Sequence, residues 1–224
     1  MRKFLQILPP GAEFLIVVTV AFGPFIVESL FAALHPGAEP HHTAQSLNVL
    51  GAYELALMAL LGAFLYFRGW TFKRLGLAPT LKDTAIGLGL ALCAFLSYAF
   101  IWTMLATYAP QLVIAAARTE VVGPGLPLVT AIGLAIVNPV FEEVFVAGYT
   151  ITALKDFRGE SYALNASIAI RLLYHLYQGV LGVITVIPLG LIFAFWYVRT
   201  GRLWPLIVAH AALDGFALFQ MVKF

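Results

Sequence analysis

Six ionisable side chains, Glu142, Glu143, Arg171, His175, His210 and Asp214, interrupt sequence that is otherwise strongly apolar. Carboxylates and imidazoles are the groups that move protons to and from water, so such a set can serve acid–base catalysis, a proton relay or metal ligation. Their spacing favours convergence. Arg171 and His175 are four residues apart, as are His210 and Asp214, so on helices each pair shares one face. Glu142 and Glu143 are adjacent, about 100° apart around a helix axis, so only one can point straight into a given pocket and the other needs a separate partner. Pro139, three residues before Glu142, cannot donate to the Ala135 carbonyl. It predicts a kink that bares backbone polarity beside the carboxylates and admits water.

Each charge in hydrocarbon costs about 2.5–3.5 kcal/mol, so Glu142, Glu143, Arg171 and Asp214 together face about 12 kcal/mol of opposition and must compensate one another. Ion pairs that merely tie helices together explain one such pair well. Two adjacent carboxylates, two imidazoles, an arginine and a further carboxylate point instead to a functional pocket. Glu13, Glu28 and Glu54 also lie in or near apolar runs, with no ionisable residue at helical spacing. Glu54 is a candidate for supporting the pocket; the other two have no assigned role.

The elements that position these groups follow from composition. The chain has 224 residues, 62% hydrophobic and 11% charged, with a mean hydropathy of +0.93. A soluble domain of this size carries about 25% charged residues and could not hide so much apolar surface. Apolar windows of about 20 residues give seven candidate spans, near 12–34, 46–67, 83–108, 126–154, 161–178, 180–199 and 203–222. The expected fold is therefore all-α, a polytopic transmembrane helical bundle of about seven spans, with six to eight as the range, forming one domain over residues 1–224. The first span is too long for a signal-peptide core and lacks a small-residue cleavage site, so it is expected to be retained. Cys93 stands alone and excludes a disulfide framework. A net charge of +2 with scattered basic residues argues against a nucleic-acid partner.

With seven spans the loop cations sort cleanly. Arg2, Lys3, Arg68, Lys73, Arg74, Lys82, Lys155, Arg158, Arg199 and Arg202 fall on one side, Arg118 and Lys223 on the other, a split of ten to two. Lysine and arginine accumulate in cytoplasmic loops, so the N-terminus is expected in the cytoplasm and the C-terminus outside, in a bacterial-type plasma membrane. Arg68–Pro79 mixes Trp70 and Phe72 with three basic residues, fitting either a segment in the headgroup region or an ordinary loop. The loop His35–His42 has metal-ligating residue types, but its prolines and glycine impose no ligand geometry. Counted from the cytoplasmic ends of their spans, Glu142 and His175 lie about 20 Å deep and His210 only about 10 Å, so the spans must extend unequally if the three are to meet.

Three stretches carry a resemblance: FEEVFVAGY from Phe141, RLLYHLYQG from Arg171, and FAFWYVRTGRLWPLIVAHAALD from Phe193. In order and spacing this chain resembles the CAAX protease and bacteriocin-processing (CPBP) family, whose eukaryotic members are the type II CAAX prenyl endopeptidases. The resemblance covers about residues 138–218. The family carries a Glu-Glu pair followed by Arg, a motif ending in His, and a last motif of His with Asn or Asp four residues on. Two positions depart. Ala147 stands where the family has arginine, and Arg171 stands where the second motif has phenylalanine. The pair of changes suggests that the guanidinium has moved to the neighbouring helix, where Arg171 would pair with Glu143.

The resemblance implies an intramembrane endopeptidase using a glutamate-activated water. Glu142 would be the general base, with Glu143 held ionised by Arg171. His175 would share the activation or protonate the leaving amine, and His210 would stabilise the oxyanion with Asp214 orienting it. It implies membrane lipids as surroundings and a lipid-associated or prenylated peptide, or a small precursor protein, as substrate, with no cofactor. No Gly-x-Ser-Gly nucleophile, zinc helix of the His-Glu-x-x-His type or aspartate dyad is present. A metal held by Glu142, His175, His210 and Asp214 is the competing chemistry, and a transporter or immunity-type scaffold with a proton-relay or lipid-binding pocket is the competing function.

Overall fold

The computed structural model describes residues 8–35, 42–117 and 125–222. It is all-α over these residues, with no strand among them beyond isolated bridges such as that between Leu126 and Val222. The helices are α1 (Pro10–Leu34), α2 (Ala44–Phe67), α3 (Leu81–Tyr108), α4 (Pro110–Ala117), α5 (Leu128–Glu142), α6 (Thr150–Arg158), α7 (Glu160–Tyr174), α8 (Gly179–Thr200) and α9 (Trp204–Phe219). A π-helical stretch, Glu143–Tyr149, joins α5 to α6 in one continuous rod, and a 3₁₀ turn, Leu176–Gln178, follows α7. Local sequence sets several of these ends. Thr43 and Ser46 form a reciprocal capping box at α2, Thr80 accepts from the Asp83 amide at α3, and Pro10 and Pro110 stand at first helical positions.

Among the described residues seven helical passes result, as the apolar windows indicate, but they are unequal. Five are long and apolar enough to cross a bilayer: Pro10–Leu34, Ala44–Phe67, Leu81–Tyr108, Leu128–Asp156 and Leu176–Thr200. The other two, α7 and α9, have 15 and 16 residues. At 1.5 Å per residue they are about 23 Å long, short of the roughly 30 Å hydrocarbon thickness. These two short helices carry Arg171 and His210. The additional helix α4 was not foreseen; it forms because Pro110 restarts the chain after Ala109 leaves helical geometry.

Packing places α9 at the centre, against α3 and α5, while α7 lies on α1, α6 and α8, and α2 lies on α5. The α3–α9 contact is close because Gly87 has no side chain: a Cβ there would lie 2.7 Å from the Pro205 carbonyl oxygen. Beneath α9 the segment after α2 folds up as a clasp. The Leu203 amide donates to the Gly76 carbonyl at 3.0 Å, and a Cβ on Gly76 would fall 1.6 Å from the Gly201 carbonyl oxygen. Gly76 also has φ +65°, a second reason for glycine at that position. The clasp accounts for the depth difference noted in the sequence. Leu203 and Leu206 are fully buried, so α9 starts inside the bundle and His210 needs little further length to reach the level of Glu143.

The clasp also decides between the two readings of Arg68–Pro79. Trp70 is buried in the protein core, where its indole N–H donates to Glu13 at 2.8 Å, and only Phe72 of the two aromatics is exposed. The segment is a structural loop whose tryptophan anchors it inward. Residues 36–41 of the His35–His42 loop, with Arg2, Lys3, Arg118 and Lys223, lie outside the described residues.

Candidate active site

The Glu142–Glu143 pair sits where α5 passes into the π-helical stretch, three and four residues after Pro139, which lacks a backbone donor. A π turn widens the helix and re-aims successive side chains. Both carboxyls are buried, Glu143 completely. α7 supplies the cation between them. The Arg171 guanidinium donates to Glu143 Oε1 at 2.7 Å through one terminal nitrogen and to Glu142 Oε2 at 3.2 Å through the other. One arginine thus serves two adjacent carboxylates, which a planar fork of donors can do and a point charge cannot. The neighbour-helix pairing of Arg171 with Glu143, expected from the exchanged positions 147 and 171, is present.

α9 adds His210 from the other side. Its Nδ1 lies 2.7 Å from Glu143 Oε1, and its Nε2 lies 3.5 Å from Asp214 Oδ1, the i,i+4 partner on the same helix. Nδ1 faces a carboxylate and therefore carries the hydrogen. His175 stands apart from this chain of contacts. Its Nδ1 donates to the Arg171 carbonyl at 2.8 Å, which leaves Nε2 of a neutral ring with a lone pair. Five of the six residues form one connected network, and His175 joins it through the backbone of α7.

Two neighbours complete the environment of Glu142 and had gone unassigned. The Tyr174 hydroxyl donates to Glu142 Oε2 at 2.5 Å, and the Asn138 amide donates to Glu142 Oε1 at 3.3 Å and to Glu54 Oε1 at 2.8 Å. The signal for both was available. Tyr174 is three residues from Arg171 and Asn138 four from Glu142, the same helical spacing that grouped the ionisable residues. Glu54 is thereby linked to the site through Asn138, the supporting position its place in α2 suggested.

A cavity of about 460 Å³ opens over this network. Phe22, Phe25, Leu50, Tyr53 and Phe141 form its apolar walls, and Glu142, Tyr174 and His175 also line it. Glu143, Arg171, His210 and Asp214 are not among the lining residues; they stand behind Glu142. The volume falls in the range of about 300–1,000 Å³ usual for small-ligand sites, enough for a few residues of extended chain.

The donor set also resembles a metal site. One ligand atom each from Glu142, Glu143 and His210 lie within 4.8 Å of one another. This trio differs from the set read in the sequence, since Glu143 replaces His175 and Asp214. The space is already charge-compensated, because Arg171 bonds to both carboxylates and His210 Nδ1 is turned to Glu143.

A family model described as type II CAAX prenyl endopeptidase Rce1-like matches residues 124–216, a stretch that contains all six of these residues. Over that stretch the chain is similar to the CAAX protease family. It is an integral membrane protein, and the family's general activity is intramembrane proteolysis of membrane-associated peptides. No curated protein and no solved structure matches the chain significantly. Set beside the motif pattern of that family, the chain differs at Ala147 and Arg171. Ala147, where the family carries arginine, is buried in the π-helical stretch, and the guanidinium reaches Glu143 from α7 instead.

Proposed function

We propose that the protein is an endopeptidase that hydrolyses a peptide bond in a membrane-associated substrate with a water activated by Glu142. The observation that carries this reading is the position of Glu142, the one member of the buried carboxylate pair that reaches the cavity, with a lone-pair imidazole nitrogen of His175 on the same cavity. In this reading Glu142 takes the proton of the attacking water as the oxygen adds to the substrate carbonyl. That proton passes to the leaving amine through Glu142 or His175. Glu143, fixed between Arg171 and His210, keeps the guanidinium and the imidazole in register. His210, kept as the imidazolium between Glu143 and Asp214, carries hydrogen on both ring nitrogens; Nε2 is held only loosely by Asp214, so its N–H is the donor assigned to the developing oxyanion once the substrate carbonyl is drawn in past Glu142. The substrate is a lipid-associated or prenylated peptide or a small precursor protein, and the protein resides in a bacterial-type plasma membrane with its N-terminus in the cytoplasm.

Replacing Glu142 by glutamine tests the mechanism, because it keeps the shape and removes the base. Purified E142Q should lose peptide cleavage by about 10²–10⁴-fold while eluting as the same folded species in detergent. Cleavage at an undiminished rate would end the glutamate-base mechanism.

The clustering of Glu142, Glu143 and His210 favours a second reading, in which they hold a catalytic metal. Metal analysis of the purified protein and activity after a strong chelator separate the two. Full activity with no stoichiometric metal supports the metal-free mechanism, and loss restored by one metal supports the other.

A further inference from the structure

The cavity and the packing opposite it divide the molecule along its helix axes. In α1 the cavity is lined only from Phe22 onward, in α2 only as far as Glu54, in α5 by residues from Asn138 on, and in α7 by Tyr174, at its very end. The turn after α7 completes the mouth, where the Tyr177 amide donates to Ser29 Oγ at 2.8 Å. At the other end of the same helices the interior is filled. Tyr149, Leu203 and Leu206 are fully buried there, and the clasp of Trp70 and Leu75 closes beneath them.

The filled end carries the cations. Arg74, Lys155 and Arg199 surround one surface depression together with Gly201, and Arg202 pairs with Asp83 at the start of α3. Among the described residues, no lysine or arginine lines the cavity, whereas Glu28, Glu54 and Glu142 do. Lysine and arginine concentrate on the cytoplasmic side of multi-pass proteins, so the sealed end is cytoplasmic. We infer that this protease receives its substrate from the non-cytoplasmic side, as an extended apolar segment, uncharged or basic, that enters between Ser46 and Tyr177 and descends to Glu142. The word substrate here rests on the proteolytic reading above; the side of entry rests on the cavity and the charge distribution alone.

Thiol accessibility tests it without requiring catalysis. In a Cys93→Ser background, cysteine is placed singly at Ser46 in the mouth, at His175 on the cavity wall beside Glu142, and at Asp156 on the sealed end. The probe is trimethylammonium-ethyl methanethiosulfonate, a small cation that does not cross membranes. The variants S46C and H175C should react in right-side-out spheroplasts and not in sealed inside-out vesicles, and D156C should do the reverse. If H175C does not accumulate, Leu50→Cys on the facing wall gives the same reading. Reaction of the cavity cysteines only in inside-out vesicles would overturn the inference, as would an S46C protein that, fully modified, still cleaves an outer-leaflet lipid-tethered peptide at the unmodified rate. A protein that is labelled from outside yet cleaves no peptide would instead count against the proteolytic reading and leave the side of entry standing.

Discussion

Among the described residues two buried glutamate clusters have nearly the same composition, and of these two the one around Glu142 borders the cavity. In the first, Glu13 accepts from Arg68 Nε at 2.5 Å, Trp70 Nε1 at 2.8 Å and the Tyr149 hydroxyl at 3.3 Å, and the Arg68 guanidinium also donates to the Leu8 carbonyl. In the second, Glu142 accepts from Arg171, Tyr174 and Asn138, and Glu143 from Arg171 and His210. A carboxylate, a guanidinium and a phenol recur, so an ion pair in an apolar bundle does not by itself mark a site. The difference lies in balance and access. The Glu13 cluster sets one acid against one base and is sealed by aromatic packing of Tyr149 on Phe14 and Trp70. The Glu142 cluster sets an additional carboxyl against its arginine, adds an imidazole, and borders empty space.

Removing the two arginines should separate a site from a brace. Arg171→Ala leaves two adjacent buried carboxylates without their cation, a change expected to cost about 3–5 kcal/mol and to abolish cleavage. Thermal unfolding in detergent and a peptide assay read the two effects. Because Ala147 occupies the arginine position of the family, adding Ala147→Arg should restore part of both. Full activity in Arg171→Ala would remove the relocated-guanidinium account. Arg68→Ala should cost about 3 kcal/mol, since Trp70 and Tyr149 still serve Glu13, and the surviving folded fraction should keep its turnover. A fall in turnover per folded molecule would show that the Glu13 brace sets the geometry of the site and that the two clusters do not differ in role.

How far these clusters could be read in the sequence follows from how local their contacts are. The helical passes and the grouping on 142–143, 171–175 and 210–214 were legible because hydropathy and i,i+4 spacing are short-range signals. The pairing of Arg171 with Glu143 was legible because two departures from the family pattern, at Ala147 and Arg171, compensate in charge. The Glu13 brace was not, since its partners lie 55 to 136 residues away and nothing near Glu13 announces them. Trp70 read equally well as an interfacial aromatic, because an amphipathic indole satisfies either setting and only tertiary packing decides. The π-helical stretch was hidden for a similar reason. Pro139 announces a break in the hydrogen-bond ladder, but whether the chain kinks or widens depends on what packs against it.

A smaller effect sharpens the second cluster from within. Tyr174→Phe removes the hydroxyl on Glu142 Oε2 and keeps the ring stacked on Phe22 at 5.1 Å. A hydrogen bond to an ionised group is worth about 1.5–3 kcal/mol, so a comparable loss of stability is expected. If the hydroxyl also holds Glu142 in its catalytic orientation, kcat should fall about tenfold with KM little changed. A change confined to KM would place Tyr174 in substrate binding instead.

The smallest effect is expected at Glu54, which touches both ideas of what a buried carboxylate is for. Its Oε1 accepts from Asn138, while its buried Oε2 has no hydrogen-bond partner among the described residues. Glutamine keeps the acceptor for Asn138 and replaces the orphan oxygen with an amide, so Glu54→Gln should leave stability within about 0.5 kcal/mol of the native protein or raise it, and cleavage within about twofold. Leucine at the same position leaves the Asn138 amide without its shorter bond and should cost about 1–3 kcal/mol. If Glu54→Gln instead abolishes cleavage, the carboxyl of Glu54 itself takes part in handling the proton. The catalytic acid–base set would then extend from α5 across Asn138 into α2, and the boundary between the reacting pair and its support would have to be redrawn.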